Sequence, residues 1–155
     1  MTEQYDSAPE TREHIRAVRL MMQAAMMRLN TRALAHDESK LESPEKEMFD
    51  EYTPKLRALT YGSPEYKTTL AAMQQSALAH HYAHNSHHPE HYADGVNGMS
   101  ILDVLEMLCD WKAATMRHAD GDIAKSLEIN RERFGISDQL HSILVNTARE
   151  MGWIE

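Results

Sequence analysis

The chain has 155 residues and carries 24 acidic against 16 basic side chains, a formal net charge of −8. That length suits one domain able to bury its own core. The single Cys109 excludes an intramolecular disulfide and fits a reducing compartment, while the acidic balance excludes broad, sequence-independent nucleic-acid binding.

No segment approaches the roughly 18 consecutive apolar residues that span a membrane. The polar, acidic stretch from Met1 to Glu13 lacks the basic-then-apolar order of a signal peptide. A cytoplasmic protein without a membrane partner is therefore expected. Residues 1–9 read as a loose tail, and 10–155 as one all-α domain of six or seven helices around a single core. Ile15, Val18, Met22, Met26 and Leu29 recur at three- and four-residue steps, which predicts an amphipathic helix from Thr11 to Leu29. Asn30-Thr31 is read as a break before a short helix from Ala33 to Lys40. Ser43-Pro44-Glu45 supplies an N-cap, an N1 proline and an early acid. Pro54 interrupts or kinks the helix that follows, and Tyr61-Gly62 ends it.

Ser63-Pro64-Glu65 repeats the start signal and launches a long helix to about His84 or His88, stopped by Pro89. Ala93 to Met99 is a glycine-containing loop. Ser100 and Asp103 resemble a capping box that opens a helix to about His118. After a turn over Ala119-Asp120-Gly121-Asp122, a helix from Ile123 to Phe134 is closed by Gly135. Ser137 caps the last helix, which ends near Met151-Gly152. No alternating strand pattern of useful length occurs. The eleven methionines are expected to fill irregular helical cores.

The chemistry concentrates between His80 and His91, where six of the ten histidines fall within twelve residues. Neutral imidazole is the commonest protein ligand for transition metals, so this density points to a metal site. His80, His84 and either His87 or His88 share one helical side, and His81, His84 and His88 form an overlapping set. Asn85 and Tyr82 are placed to support such a site or to hydrogen bond a substrate. Further candidates are His14, the His36-Asp37 pair and Asp110, the last set among Leu108, Cys109, Trp111 and Ala113. Asp103 and Glu106 share a helical face with Asp110, and Asp103 is expected to be solvated. His14 and His36 are 22 residues apart, about 33 Å along one straight helix. One ion can reach both only if the chain reverses at Asn30-Thr31.

Glu13-His14, His36-Asp37-Glu38-Ser39-Lys40, the run from His81 through His87-His88-Pro89-Glu90 to Tyr92, and Asp110-Trp111 together resemble the HD superfamily of metal-dependent phosphohydrolases. The nearer resemblance is to HD-like proteins of phages and bacteria. Their pattern is His-Asp-x-Ser-Lys, then His-x-x-x-Asn-x-His-His-Pro-Glu-aromatic, then Asp-Trp. It covers about residues 10 to 118 and departs at His91, which precedes Tyr92 where the aromatic is expected.

The resemblance implies one divalent ion held by His14, His36, Asp37 and Asp110, with a second held through Asp37 and histidines among His80, His81, His84 and His88. Zn, Mn, Co, Fe or Ni would suit such ligands. It implies Lys40 as a phosphate contact and catalytic group, with Lys112 and Arg117 behind it, Asn85 at the substrate, and Glu38 or His84 as general acid or base. The expected activity is hydrolysis of a small nucleotide, a nucleoside mono- or triphosphate, by a metal-activated water. The alternatives are a phosphodiesterase acting on a nucleotide signal, a non-catalytic histidine-rich metal-binding or interaction protein, and an inactive HD module. Small HD-like proteins further imply a homo-oligomer, in the host cytoplasm if the chain is phage-encoded.

Overall fold

A computed structural model describes residues 5–59, 63–73, 78–117 and 121–155, with backbone only at 66, 67 and 70. Among these residues the chain forms seven α-helices and no strand, as the sequence predicts. The chain divides into two compact units, Met1–His36 and Asp37–Glu155. The boundary falls inside the single 10–155 domain read from the sequence.

The first unit is one helix, α1 (Ala8–Ala35), which continues through Asn30-Thr31 without a break. Neither residue is a strong helix breaker, and the Thr31 hydroxyl donates back to the Met27 carbonyl at 3.1 Å. The expected reversal, and the short separate helix from Ala33, are therefore absent. The predicted apolar stripe is present but not buried: Ile15, Val18, Met22 and Met26 are all exposed. The methionine expectation fails for most of the set. Met73 and Met107 are buried, whereas Met21, Met22, Met26, Met27, Met116 and Met151 are exposed.

The second unit opens at Asp37, a non-glycine residue in the left-handed region (φ 59°), which leads into a short 3₁₀ turn, Glu38–Leu41. The helix α2 (Glu45–Arg57) follows and runs through Pro54 to its end. Then come α3 (Pro64–Met73) and α4 (Ala79–His84). Tyr61-Gly62, the middle of the long helix expected here (74–77) and the segment 118–120 lie outside the described residues. Pro89 opens a 3₁₀ turn, Pro89–His91, rather than stopping a helix, because α4 has already ended at Asn85.

Ser100 caps α5 (Ile101–Thr115) with the reciprocal bonds of a capping box. Asp122 and Ser137 cap α6 (Ile123–Phe134) and α7 (Asp138–Glu150), and Gly135 closes α6 at φ 61°, a conformation that favours glycine. These three helices, with Ile136 from the connection between α6 and α7, build the core from Val104, Met107, Leu108, Ile123, Leu127, Leu144 and Ala148. Each of the larger side chains buried there contributes about 1.5–3 kcal/mol. The motif-free C-terminal helices thus supply the packing that anchors α5.

Asp103 is buried, against the expectation of a solvated face. It accepts from the Ser100 N–H (2.8 Å) and hydroxyl (2.5 Å), the Ser86 hydroxyl (2.7 Å) and the Tyr92 hydroxyl (3.0 Å). Burial pushes its carboxyl upward, but the bonds from Ser100, Ser86 and Tyr92 outweigh this and hold it well below the usual carboxylate range. Gly98 lets Tyr92 lie close: a Cβ there would come within 2.8 Å of the Tyr92 side chain. Through Ser86 and Tyr92, this knot ties the loop after α4 to the start of α5.

Candidate metal centre

The site grows from the way α4 ends. Asn85, at φ −120° and ψ 98°, leaves the helix, and its amide donates to the His81 carbonyl at 2.8 Å and to the Ser39 hydroxyl at 2.9 Å. Asn85 therefore takes the supporting place, one of the two roles the sequence left open, by clamping the His81 carbonyl to the Ser39 hydroxyl. Beyond it the chain turns back, so that His87 and His88 meet His81 instead of continuing along a helical face.

The Nε2 atoms of His81 and His88 stand 2.9 Å apart. Asp37 Oδ1 lies 3.3 Å from His81 Nε2 and 3.5 Å from His87 Nε2. One ligand atom from each of Asp37, His81, His87 and His88 lies within 4.8 Å of all the others. Four ligands bonded at about 2.0–2.1 Å to a tetrahedral ion would stand roughly 3.3–3.5 Å from one another. The donor set and its spacing therefore fit a divalent ion with little rearrangement, and these groups could hold a metal.

Two buried rings are oriented from behind by carboxylates. Glu45, with no exposed surface, accepts from His81 Nδ1 at 2.9 Å, His80 Nδ1 at 2.7 Å and the Ser39 hydroxyl at 3.0 Å. Burial pushes Glu45 upward, but the bonds from His80, Ser39 and His81 prevail and lower it, keeping it ionised. An ionised carboxylate only accepts, which places a proton on Nδ1 of His81 and leaves its Nε2 lone pair for the centre. On the other side, His87 Nδ1 lies 3.1 Å from Glu106 Oε1. Burial, reinforced by the neighbouring His87 and His81, pushes His88 down to about 3, so its imidazole stays neutral and able to ligate. Tyr82 packs its ring 4.9 Å from that of His88.

The residues expected from the sequence are redistributed. Asp37, His81 and His88 come together as anticipated, and His87, outside the chosen set, joins them. Asp110 is half-buried, acts electrostatically on His88 and has a carboxylate oxygen within 4.8 Å of one on Asp37. His36 is the C-cap of α1 and directly precedes Asp37 in the chain. The unbroken helix between them keeps His14 about 33 Å from His36. One chain cannot bring both to one ion, and exposed His14 leaves the ligand set. His80 donates to Glu45 and stacks on His84 at 4.1 Å, away from the cluster. His84 is exposed, with Nδ1 2.8 Å from the His80 carbonyl, and it is not in the groups of converging ligand atoms found among the described residues.

Lys40 is at the centre's edge, its ammonium 2.6 Å from Asp37 Oδ2 and 5.3 Å above the Phe49 ring. Glu38 is exposed at the start of the 3₁₀ turn. Among the described residues, neither Lys112 nor Arg117 makes an ion pair or hydrogen bond to the cluster. Glu45 and Glu106 were not expected as site residues. The only local signal for Glu45 was its place in Ser43-Pro44-Glu45, where an acid ordinarily serves the helix N-terminus. Cys109 keeps an exposed surface, but partial desolvation of its thiol, together with Glu106, pushes it up, so it is a poor nucleophile.

Over residues 3–150 the chain matches a family of unknown function, DUF5662, and it belongs to that family. No curated protein and no solved structure matches it.

Proposed function

We propose that this family member is a metal-dependent phosphohydrolase acting on a small nucleotide. The observation that carries the reading is the convergence of Asp37, His81, His87 and His88, with Glu45 and Glu106 backing two of the rings. Such paired carboxylates fix ring orientation and raise ligand basicity. The position of Asp37 within His36-Asp37-Glu38-Ser39-Lys40 agrees with the HD-like resemblance, and Asp110 adds a further carboxylate beside Asp37. The N/O donor set suits Zn, Mn, Fe, Co or Ni.

A bound dication would supply Lewis acidity toward a phosphoryl oxygen and lower the pKa of a coordinated water. The chain's own part is positioning and charge. Phosphoryl transfer demands little covalent work from a protein and much neutralisation of oxygen charge. The Lys40 ammonium, held by Asp37 and resting over Phe49, presents that charge where a phosphate would approach. Glu45 and Glu106 keep the imidazoles of His81 and His87 turned inward. A loose histidine-rich binder is the weaker reading, because exposed His84 and His91 stand outside the groups of converging ligand atoms found among the described residues. The remaining ligands form one built group.

The test is metal analysis of the untagged protein together with phosphate release from a nucleotide panel supplied with Mn, Co, Zn or Mg. One or two ions per chain and measurable hydrolysis are expected, both lost in Asp37→Ala and His88→Ala, with His36→Ala in the same series. Metal content and turnover unchanged in Asp37→Ala and His88→Ala would refute the reading.

A further inference from the structure

Beside the centre, wholly within the second unit, an open cleft of about 710 Å³ lies between the 3₁₀ turn and α2. Its walls include Lys40, Leu41, Phe49, Asp50, Thr53 and Arg57. Two residues join it to the metal cluster. Lys40 lines the cleft and bonds Asp37, and Phe49 lines the cleft with its ring edge-on to His81 at 6.3 Å. On α2, Glu45, Phe49, Thr53 and Arg57 follow one another at four-residue steps, so a single helix stripe runs from the carboxylate that orients His81 to the far end of the cleft. From Phe49 to Arg57 that stripe covers about 12 Å.

From this arrangement we infer that the cleft is the binding site for the nucleoside half of a nucleoside monophosphate, with the phosphate at Lys40 and the base toward Arg57. The inference rests on the phosphohydrolase reading for the identity of the phosphate end and goes beyond it in the rest. The volume lies in the range of about 300–1,000 Å³ that suits small-molecule sites. Its walls are apolar at Leu41, Phe49 and Pro54, which suits the faces of a heteroaromatic ring. The planar guanidinium of Arg57 presents a fork of donors that matches the acceptor edge of a base.

Charge decides against a triphosphate. Among the described residues, the cationic side chains lining the cleft are Lys40, on the 3₁₀ turn, and Arg57, the last residue of α2. Between them stand Phe49, Thr53 and the Asp50 carboxylate, which Lys46 already pairs at 2.5 Å, so a polyphosphate chain would find no cation among the described residues lining that stretch. One phosphate at Lys40 followed by an uncharged sugar and base needs none there.

The experiment is titration of the metal-supplemented protein, by calorimetry or chemical-shift change, with adenosine 5′-monophosphate, guanosine 5′-monophosphate, adenosine triphosphate, ribose 5-phosphate and inorganic phosphate. Bound metal is quantified separately on each sample. The monophosphates should bind about tenfold or more tighter than ribose 5-phosphate, consistent with the value of stacking one base, and no weaker than the triphosphate. Arg57→Ala, at an exposed position where folding is not at risk, should weaken the monophosphates about tenfold while leaving metal content and inorganic phosphate binding unchanged. Phe49→Leu should act in the same direction. Equal affinity for ribose 5-phosphate and the monophosphates, markedly tighter triphosphate binding, or an Arg57→Ala protein with native affinity would each overturn the inference. The two readings fail separately. Metal held as proposed with no base preference refutes only the cleft assignment, whereas Arg57-dependent monophosphate binding by a protein that holds no metal refutes only the metal centre.

Discussion

Glu45→Gln isolates the contribution of a residue that acts on the proposed metal only through His81. The substitution keeps the shape of a side chain with no exposed surface but leaves one oxygen where there were two. In the native chain Oε1 accepts from His80 at 2.7 Å, and Oε2 accepts from His81 at 2.9 Å and from Ser39 at 3.0 Å. The new amide N–H₂ must face one of these donors. If it faces His81, the ring has to carry its proton on Nε2, which removes the lone pair from the centre. If it faces His80, His81 keeps its tautomer but loses the negative charge that raises its basicity. Both routes weaken the metal, by about 10–100-fold for loss of a supporting partner, or about 1.4–2.8 kcal/mol. Competition between the metal-free protein and a chromogenic chelator reads this affinity directly. Urea unfolding without metal reads the separate cost to the fold, about 1–3 kcal/mol for a buried donor left without its acceptor. At saturating metal the added stabilisation should shrink by the affinity loss itself. Native metal affinity in Glu45→Gln would refute the claim that this carboxylate sets the working tautomer of His81.

Two further outcomes separate the observed arrangement from the one the sequence suggested. His87→Ala should abolish tight metal binding, whereas His84→Ala should leave it within about twofold, since His84 is exposed and lies outside the groups of converging ligand atoms found among the described residues; equal losses in the two variants, read by the same chelator competition, would contradict the geometry. Asp103→Ala should cost about 3 kcal/mol in urea unfolding, because it strands several buried donors at once, and a loss below about 1 kcal/mol would count against the knot. The Asp103 carboxyl is held below its unfolded value of about 3.9. Its stabilisation is therefore complete above that pH and fades as pH falls toward the folded value. Asp103→Asn should flatten the acid limb of the stability curve.

Local signals proved reliable where the physics that sets them is local. The Ser100–Asp103 box, the Asp122 and Ser137 caps and the Gly135 close each depend on residues within one turn, and each marks the observed element end. The periodicity of Ile15, Val18, Met22 and Met26 identified a helix but not a buried face, because burial depends on what packs against a stripe and not on the stripe itself. The break read at Asn30-Thr31 rested on no strong breaker. Neither residue has the missing N–H of proline or the backbone freedom of glycine, and the helix runs on.

The site was legible in composition and not in arrangement. Helical phase grouped His81 with His88, which do meet, but also with His84, which does not join them, and it left His87 apart from His81; a reversal after Asn85 that no three- or four-residue spacing encodes fixes where His87 and His88 lie. Glu45 was harder still: what turns it inward is pairing with His80 and His81, 35 and 36 residues away. Burial shows the connection that the sequence hides. Among the described residues the buried polar or charged side chains are Glu45, His81, His87 and Asp103, and three of these four belong to the centre. Desolvating such groups costs several kcal/mol each unless they satisfy one another. Asp103 meets that cost with hydroxyl and amide donors that tie two segments together, a structural role complete in itself. At the other three, Nδ1 of each ring faces a carboxylate while Nε2 is directed at Asp37. An arrangement that spends one face of two imidazoles on orientation and aims the other faces at a shared carboxylate leaves a group of donors that could hold a cation between them.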